Sequence, residues 1–233
     1  MKKEFLEIVE GLWDSYEDDA FIRDKKSGVF YDPSKMHPIN YTRNYFSVEG
    51  PLNVSRSRQG RPVIFQAGTS LEFMEIAAQH AEVIMALGDH FEYLKGFTAE
   101  LKRKAKNQGR SPSDLLIMPS HSPIVGETEK EVIEKLRGIE SLMPRSYRLP
   151  KPQLMGSAEN IAEKIEQWYK AGVMDILLIR QDYPAGLEDF IKLVVPILQD
   201  KGIFRKEYEN NTLRGNLGLP YPENKHKKGE DSF

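Results

Sequence analysis

An α/β fold built on a parallel sheet is what this 233-residue sequence predicts, and three observations predict it. Short apolar runs recur at 62–66, 82–87, 115–120 and 175–180, which is how strands covered on both faces read. Segments of helical period lie between them, at 70–80, 90–107, 128–140 and 158–171. The junctions carry the matching turn chemistry, with hydroxyl residues opening helices and glycines closing them. Strand–helix alternation of this kind calls for helical crossovers between parallel strands. Four such units suit a small open sheet or half of a closed eight-stranded barrel, and periodicity alone does not choose between them.

Taken in order, residues 3–14 place Phe5, Ile8, Val9 and Leu12 on one helical face with Trp13 beside it. The stretch 20–61 is a long loop rich in Asp, Pro, Gly and Ser. Its aromatics (Phe21, Phe30, Tyr31, Tyr41, Tyr45, Phe46) imply that it packs, and "YFSVEG" reads as a short strand. The helix at 70 opens on Ser70. The one at 128 opens on Thr128 with Glu131 three residues on, a capping-box spacing. Ser157 with Asn160 gives a weaker start to the helix at 158. Gly109 and Gly172 stand where helices end. A last helix covers 186–201 and carries Leu187, Phe190, Ile191, Val194 and Val195. The domain is expected to span 1–222, with a tail at 223–233 that frays.

A net charge of −2 gives no electrostatic case for nucleic acid or an anionic membrane surface. No apolar run approaches the length of a spanning helix, and the N-terminal stretch lacks the apolar core of a signal peptide. The absence of cysteine excludes disulfides, thiolate catalysis and Cys-based zinc sites. The default location is the cytoplasm. The five histidines show no metal-ligand spacing, so no metal site is expected. His80 suits a dipole role late in a helix, and Trp13 and Trp168 suit the core. His121 follows the third strand, where loop polarity and substrate contact account for it equally well. "EDD" at 17–19 reads as a solvated run.

The stretch "VIFQAGTS" is the most informative. A buried strand stops in Ala67-Gly68-Thr69-Ser70 and a helix starts at once. One account is that Ser70 caps the helix. The other is that an anion sits in the turn: Gly68 permits close backbone approach, Thr69 and Ser70 bring hydroxyls, and helix amides point outward.

The segments "NYFSVEGPLNVSRSRQGRPVIFQAG", "GSAENIAEKIEQWYKAGVMDILLI" and "YENNTLRGNLGLPYPENK" resemble the bacterial-luciferase-like flavin monooxygenases. The branch is that of the nitrilotriacetate, long-chain alkane and dibenzothiophene-sulfone enzymes. The resemblance implies a (βα)8 TIM barrel of which this sequence is the C-terminal half, its strand candidates being barrel strands five to eight. It implies reduced FMN supplied by a separate flavin reductase, oxygenation of a small organic substrate, and a flavin phosphate held at Gly68, Thr69 and Ser70. No catalytic residue is assigned. Two departures stand out. Phe73 occupies a position that is commonly glycine in the family, where it would crowd the phosphate. The last strand ends in "IRQD", which puts Arg180 and Gln181 at the barrel mouth. A half barrel would need a complementary N-terminal half or a second copy and would bind FMN weakly by itself. The alternative is a non-catalytic remnant or interaction module from a truncated or split gene.

Overall fold

The structure, a computed structural model, describes residues 1–88, 90–144, 152–182 and 185–227. The chain forms two compact units, Phe65–Tyr208 and one made of Met1–Ile64 with the chain from Glu209 onward.

In the N-terminal unit, helix α1 (Lys2–Trp13) buries Ile8. Phe5, expected on its apolar face, remains 54% exposed. A two-residue hairpin, β1 (Tyr41–Thr42) with β2 (Ser47–Val48), contains the short strand read in "YFSVEG". It is tied to α1 by a 2.8 Å bond from Tyr41 Oη to Glu7 and a 3.1 Å bond from the Tyr45 amide to Glu4. The long loop packs through its aromatics, as its composition implies: Phe21 lies 4.7 Å from Tyr16 and 5.6 Å from Phe30, ring to ring.

The unit is knit by a buried charge cluster. The Asp14 side chain is fully buried and accepts from Arg56 Nε at 3.2 Å and Arg61 Nε at 3.0 Å. Burial by itself would raise the Asp14 carboxyl, but the hydrogen bond and charge of Arg61, the Lys225 amide and Arg56 hold it below the ordinary carboxylate range. Arg56 also donates to Asp18, Tyr221 Oη and the Pro222 carbonyl. Asn224 joins the same cluster. Asn224 is buried and its amide donates to the carbonyls of Asp14 (3.2 Å) and Tyr16 (2.8 Å). A polar side chain resists fraying when it has buried acceptors to serve, and the Asn224 amide serves two.

The second unit contains the regular elements. Strand β3 (Phe65–Ala67) leads to α2 (Leu71–His80), β4 (Val83–Ala86), α3 (Phe91–Asn107) and β5 (Leu116–His121). Then come β6 (Ile124–Gly126), α4 (Glu129–Ser141), β7 (Met155–Ser157), α5 (Ala158–Lys170) and β8 (Leu178–Ile179). The unit closes with α6 (Gly186–Asp189), a π turn over Phe190–Val194 and α7 (Val195–Asp200). Strands β3, β4, β5 and β8 form one parallel sheet in that order, so each expected strand sits beside the next. The last is much shorter than expected. The Asp175 carboxylate accepts the Ile117 amide at 2.8 Å, which takes a ladder partner away from the start of the strand. The final helix is interrupted because Pro196 lacks the amide that an unbroken α-helix needs.

Serine and threonine caps act as read. Ser70, Thr128 and Ser157 accept from the amides of Phe73, Glu131 and Asn160. Glu131 answers to the amide of Glu127, one residue before a regular capping box would place it. The helices cover one face of the sheet, where Ile84, Ala86, Ile117 and His121 are buried beside Ala77, Leu94, Leu101, Ile161 and Trp168. Along β5 exposure alternates, so Leu116, Met118 and Ser120 face the other way and are only half-buried. Phe65, on that same second face, is 48% exposed. These runs read as enclosed on both faces; only one face is fully covered. No helix among the described residues is long and apolar enough to cross a membrane.

Candidate functional site

The C-terminal ends of the parallel strands are where an open or closed α/β sheet offers loops for chemistry. At the end of β3 the backbone passes through Gly68 at φ +151°, then Thr69, then Ser70 at φ −69°, ψ 157°. Ser70 Oγ accepts from the Phe73 amide at 3.1 Å and the Ser70 carbonyl from Met74 at 2.9 Å. Ser70 is thus a true N-cap of α2. A β-carbon built on Gly68 would lie 2.7 Å from Cδ2 and 2.8 Å from Cγ of Phe73. The open side of the glycine is therefore filled by that ring, which also packs on the apolar core of the unit. Glu72 adds a carboxylate in the first turn of the helix. The next crossover repeats the device: Gly88, at φ +143°, is covered by the ring of Tyr93.

The ring of Phe73 thus stands on the Gly68 side of the turn at which the resemblance puts an FMN phosphate. Small residues cradle an anion only when the backbone behind them can be approached, and an aromatic ring blocks that approach.

The other rim residues fare differently from one another. His121 is buried, its ring 5.0 Å from that of Trp168 on the helix-covered face, so it faces away from any substrate at the rim. Trp168 is in the core, as expected. Arg180 donates from Nε to Ser122 Oγ at 3.1 Å and lies 3.5 Å from Asp182, which also accepts from Ser122. Its charge is matched within the chain. Gln181 is exposed.

The acidic run at 17–19 is not merely solvated: Glu17 meets His37 Nε2 at 2.9 Å, Asp18 meets Arg56 at 2.6 Å, and Asp19 meets Lys35. Sequence reasoning missed that His37 stacks on His226, ring centroids 4.0 Å apart. Burial, then the neighbouring His37, lowers the His226 pKa below its ordinary value. Nothing local signals a pairing across so many residues. Among the described residues no group of three or more His, Cys, Asp or Glu is arranged to hold a metal.

Residues 1–154 match the family model for luciferase-like monooxygenases. The chain belongs to the luciferase-like monooxygenase family. Among curated relatives of this family member, N-acetyl-S-(2-succino)cysteine monooxygenase of Bacillus subtilis (strain 168) is 36% identical, over 97% of this chain and 65% of its own length. Nitrilotriacetate monooxygenase component A of Aminobacter aminovorans is 32% identical, over 95% and 62%. A riboflavin lyase solved with modified FMN and riboflavin superposes with a TM-score of 0.86 at 26% identity, covering 95% of this chain and 62% of that one. The chain thus spans under two thirds of the length of these relatives.

Proposed function

We propose that this chain is the part of a flavin-dependent monooxygenase barrel that carries strands five to eight, with β3, β4, β5 and β8 in those places. One observation carries the reading. Four parallel strands follow one another in sheet order, with helices on one face, while the opposite face (Phe65, Leu116, Met118) is apolar and half-exposed. In a closed barrel that second face lines the interior. In this reading reduced FMN comes from a separate flavin reductase, a small organic compound is oxygenated, and the remaining strands come from a complementary N-terminal half or a second copy. The Aminobacter relative is named as component A, which supports a multi-component arrangement. FMN would supply the oxygen chemistry, and the protein would bind, orient and exclude water.

A second reading, a non-catalytic interaction module, is favoured by the Phe73 ring on Gly68. The purified chain, alone and mixed with the first four βα units of a relative, separates the two. Flavin absorbance retained through gel filtration by the mixture supports the enzyme reading. A mixture that assembles without retaining flavin leaves the module.

A further inference from the structure

We propose that the stacked rings of His37 and His226 make the strap 224–227 an acid-released latch on the N-terminal unit, shut while His226 is neutral and opened when both rings carry a proton. No flavin enters this device. The two rings come from distant stretches of chain, and they lie 4.0 Å apart at 14°. At that separation two imidazolium charges repel, whereas a neutral ring can stack on a neutral or a charged one. The His37 side is anchored. Its amide donates to the Ser15 carbonyl at 2.7 Å, Met36 bridges to Tyr16, and its Nε2 meets Glu17 at 2.9 Å. The His226 side is the movable one. Its amide donates to Asn224 Oδ1 at 2.8 Å. Beyond that, the strap is held by the Asn224 side chain on the Asp14 and Tyr16 carbonyls and by the Lys225 amide on the Asp14 carboxylate.

The charges around the pair favour one proton and oppose the second. Glu17 faces His37 and gives one positive charge a partner. Partial burial of the ring holds the His226 pKa below its ordinary value, and His37 and Lys225 push the same way, while Asp14 and Glu17 oppose them. The other carboxylates nearby are engaged: Asp14 by Arg56 and Arg61, Asp18 by Arg56, and Asp19 by Lys35. Lys35 and Lys227 line one hollow with Glu17, Asp18, Asp19 and Asn224, adding two positive charges on that side. His226 as a whole residue is exposed, so a proton reaches its ring before the strap opens. The direction of the pH effect is fixed. Because the folded pKa of His226 is lowered, the latch is complete above the free value of about 6.5 and is lost as pH falls through the folded value. Asp14, held below the ordinary carboxylate range, keeps its charge throughout, so the contacts beneath the strap do not titrate with it.

The test uses the full chain, isotope-labelled for NMR and taken from about pH 7.5 to about pH 5, the span in which histidine changes charge. The imidazole Cε1 signals report the protonation of each ring. Exchange of the Lys225 and His226 amides, corrected for the intrinsic rate, reports the opening of the strap. Protection in wild type is expected to fall at least about threefold on acidification, with the midpoint of the His226 titration. His226→Phe keeps a ring in the stack and removes the proton, so its strap should stay shut across the range. A wild-type strap that does not change, or one that opens with a midpoint other than that of His226, overturns the proposal. So does a His226→Phe strap that opens over the same range. Should His226→Phe fail to hold the strap at neutral pH, His37→Phe removes the second charge from the other ring. It is expected to open at lower pH than wild type, and opening at the wild-type pH overturns the proposal.

Discussion

Replacing Asp14 by Asn is the sharpest test of how the N-terminal unit holds together. The variant keeps the shape of the side chain and removes the charge that faces two guanidiniums. Asp14 is fully buried and Arg56 is 2% exposed, so neither can turn to water. Removing one partner of a buried pair costs about 3–5 kcal/mol, because the remaining charge stays desolvated. Arg56 retains Asp18, Tyr221 Oη and the Pro222 carbonyl, whereas Arg61 keeps only the neutral amide oxygen as an acceptor and meets an NH2 group in place of the second carboxylate oxygen. That asymmetry puts the expected loss near the lower end, about 3 kcal/mol. Native-state hydrogen exchange of the α1 amides reads it, since local opening is measured there without assuming that both units unfold together. The pH dependence has a fixed sign. The folded pKa of Asp14 is lowered, so its contribution is complete above the unfolded value of about 3.9 and is lost as pH falls through the lower folded value. Wild type and Asp14→Asn should converge on acidification. A loss below about 1 kcal/mol near neutral pH would refute the idea that this cluster is a buried ion pair.

Three further outcomes are expected. Ser70→Ala should cost about 0.5–2 kcal/mol in the second unit through loss of the α2 cap, read by thermal or urea unfolding; no change would mean that the Phe73 amide finds another acceptor. Trp168→Ala should cost about 3–5 kcal/mol, since the indole is 1% exposed and packs against Phe91 and His121. The Glu166 carboxyl, held between Lys170 and Lys201, should titrate at about 2 by NMR and move upward in Lys201→Met; an ordinary carboxylate value in the wild type would discount both ion pairs.

The second unit was legible because its signals are local. A cap, an apolar period and a C-terminal glycine all lie within a few residues of the element they define, and α2, α3, α4 and α5 begin and end close to where those signals stand. Strand lengths were less legible. Asp175 diverts a ladder amide with its side chain, and β6 and β7 are three residues each, with Gly126 and Gly156 inside them, too short for any period to register. In the N-terminal unit the first helix, the short strand and the packing of the aromatics were legible, but the charge cluster was not. Asp14, Arg56, Arg61, Tyr221 and Asn224 are brought together by folding, and no spacing in the chain announces it. At the turn after β3, the sequence allowed a cap and an anion seat together. The cap is present, and the ring of the bulky residue noted at 73 lies against Gly68.

The bond between Asn224 and the carbonyl of Asp14 joins residues 210 positions apart, and this sets an order on synthesis. Every residue of the second unit leaves the ribosome before Asn224 does, so that unit can form its sheet and helices while α1 still lacks its cover. At ~5–20 residues per second, the interval between the emergence of residue 64 and that of residue 224 is roughly ten to thirty seconds. Through that interval Asp14 has no Asn224, and Arg56 has neither Tyr221 nor the Pro222 carbonyl to lean on. A ribosome stalled with the chain short of residue 220 would therefore hold an N-terminal segment that lacks all three of these partners.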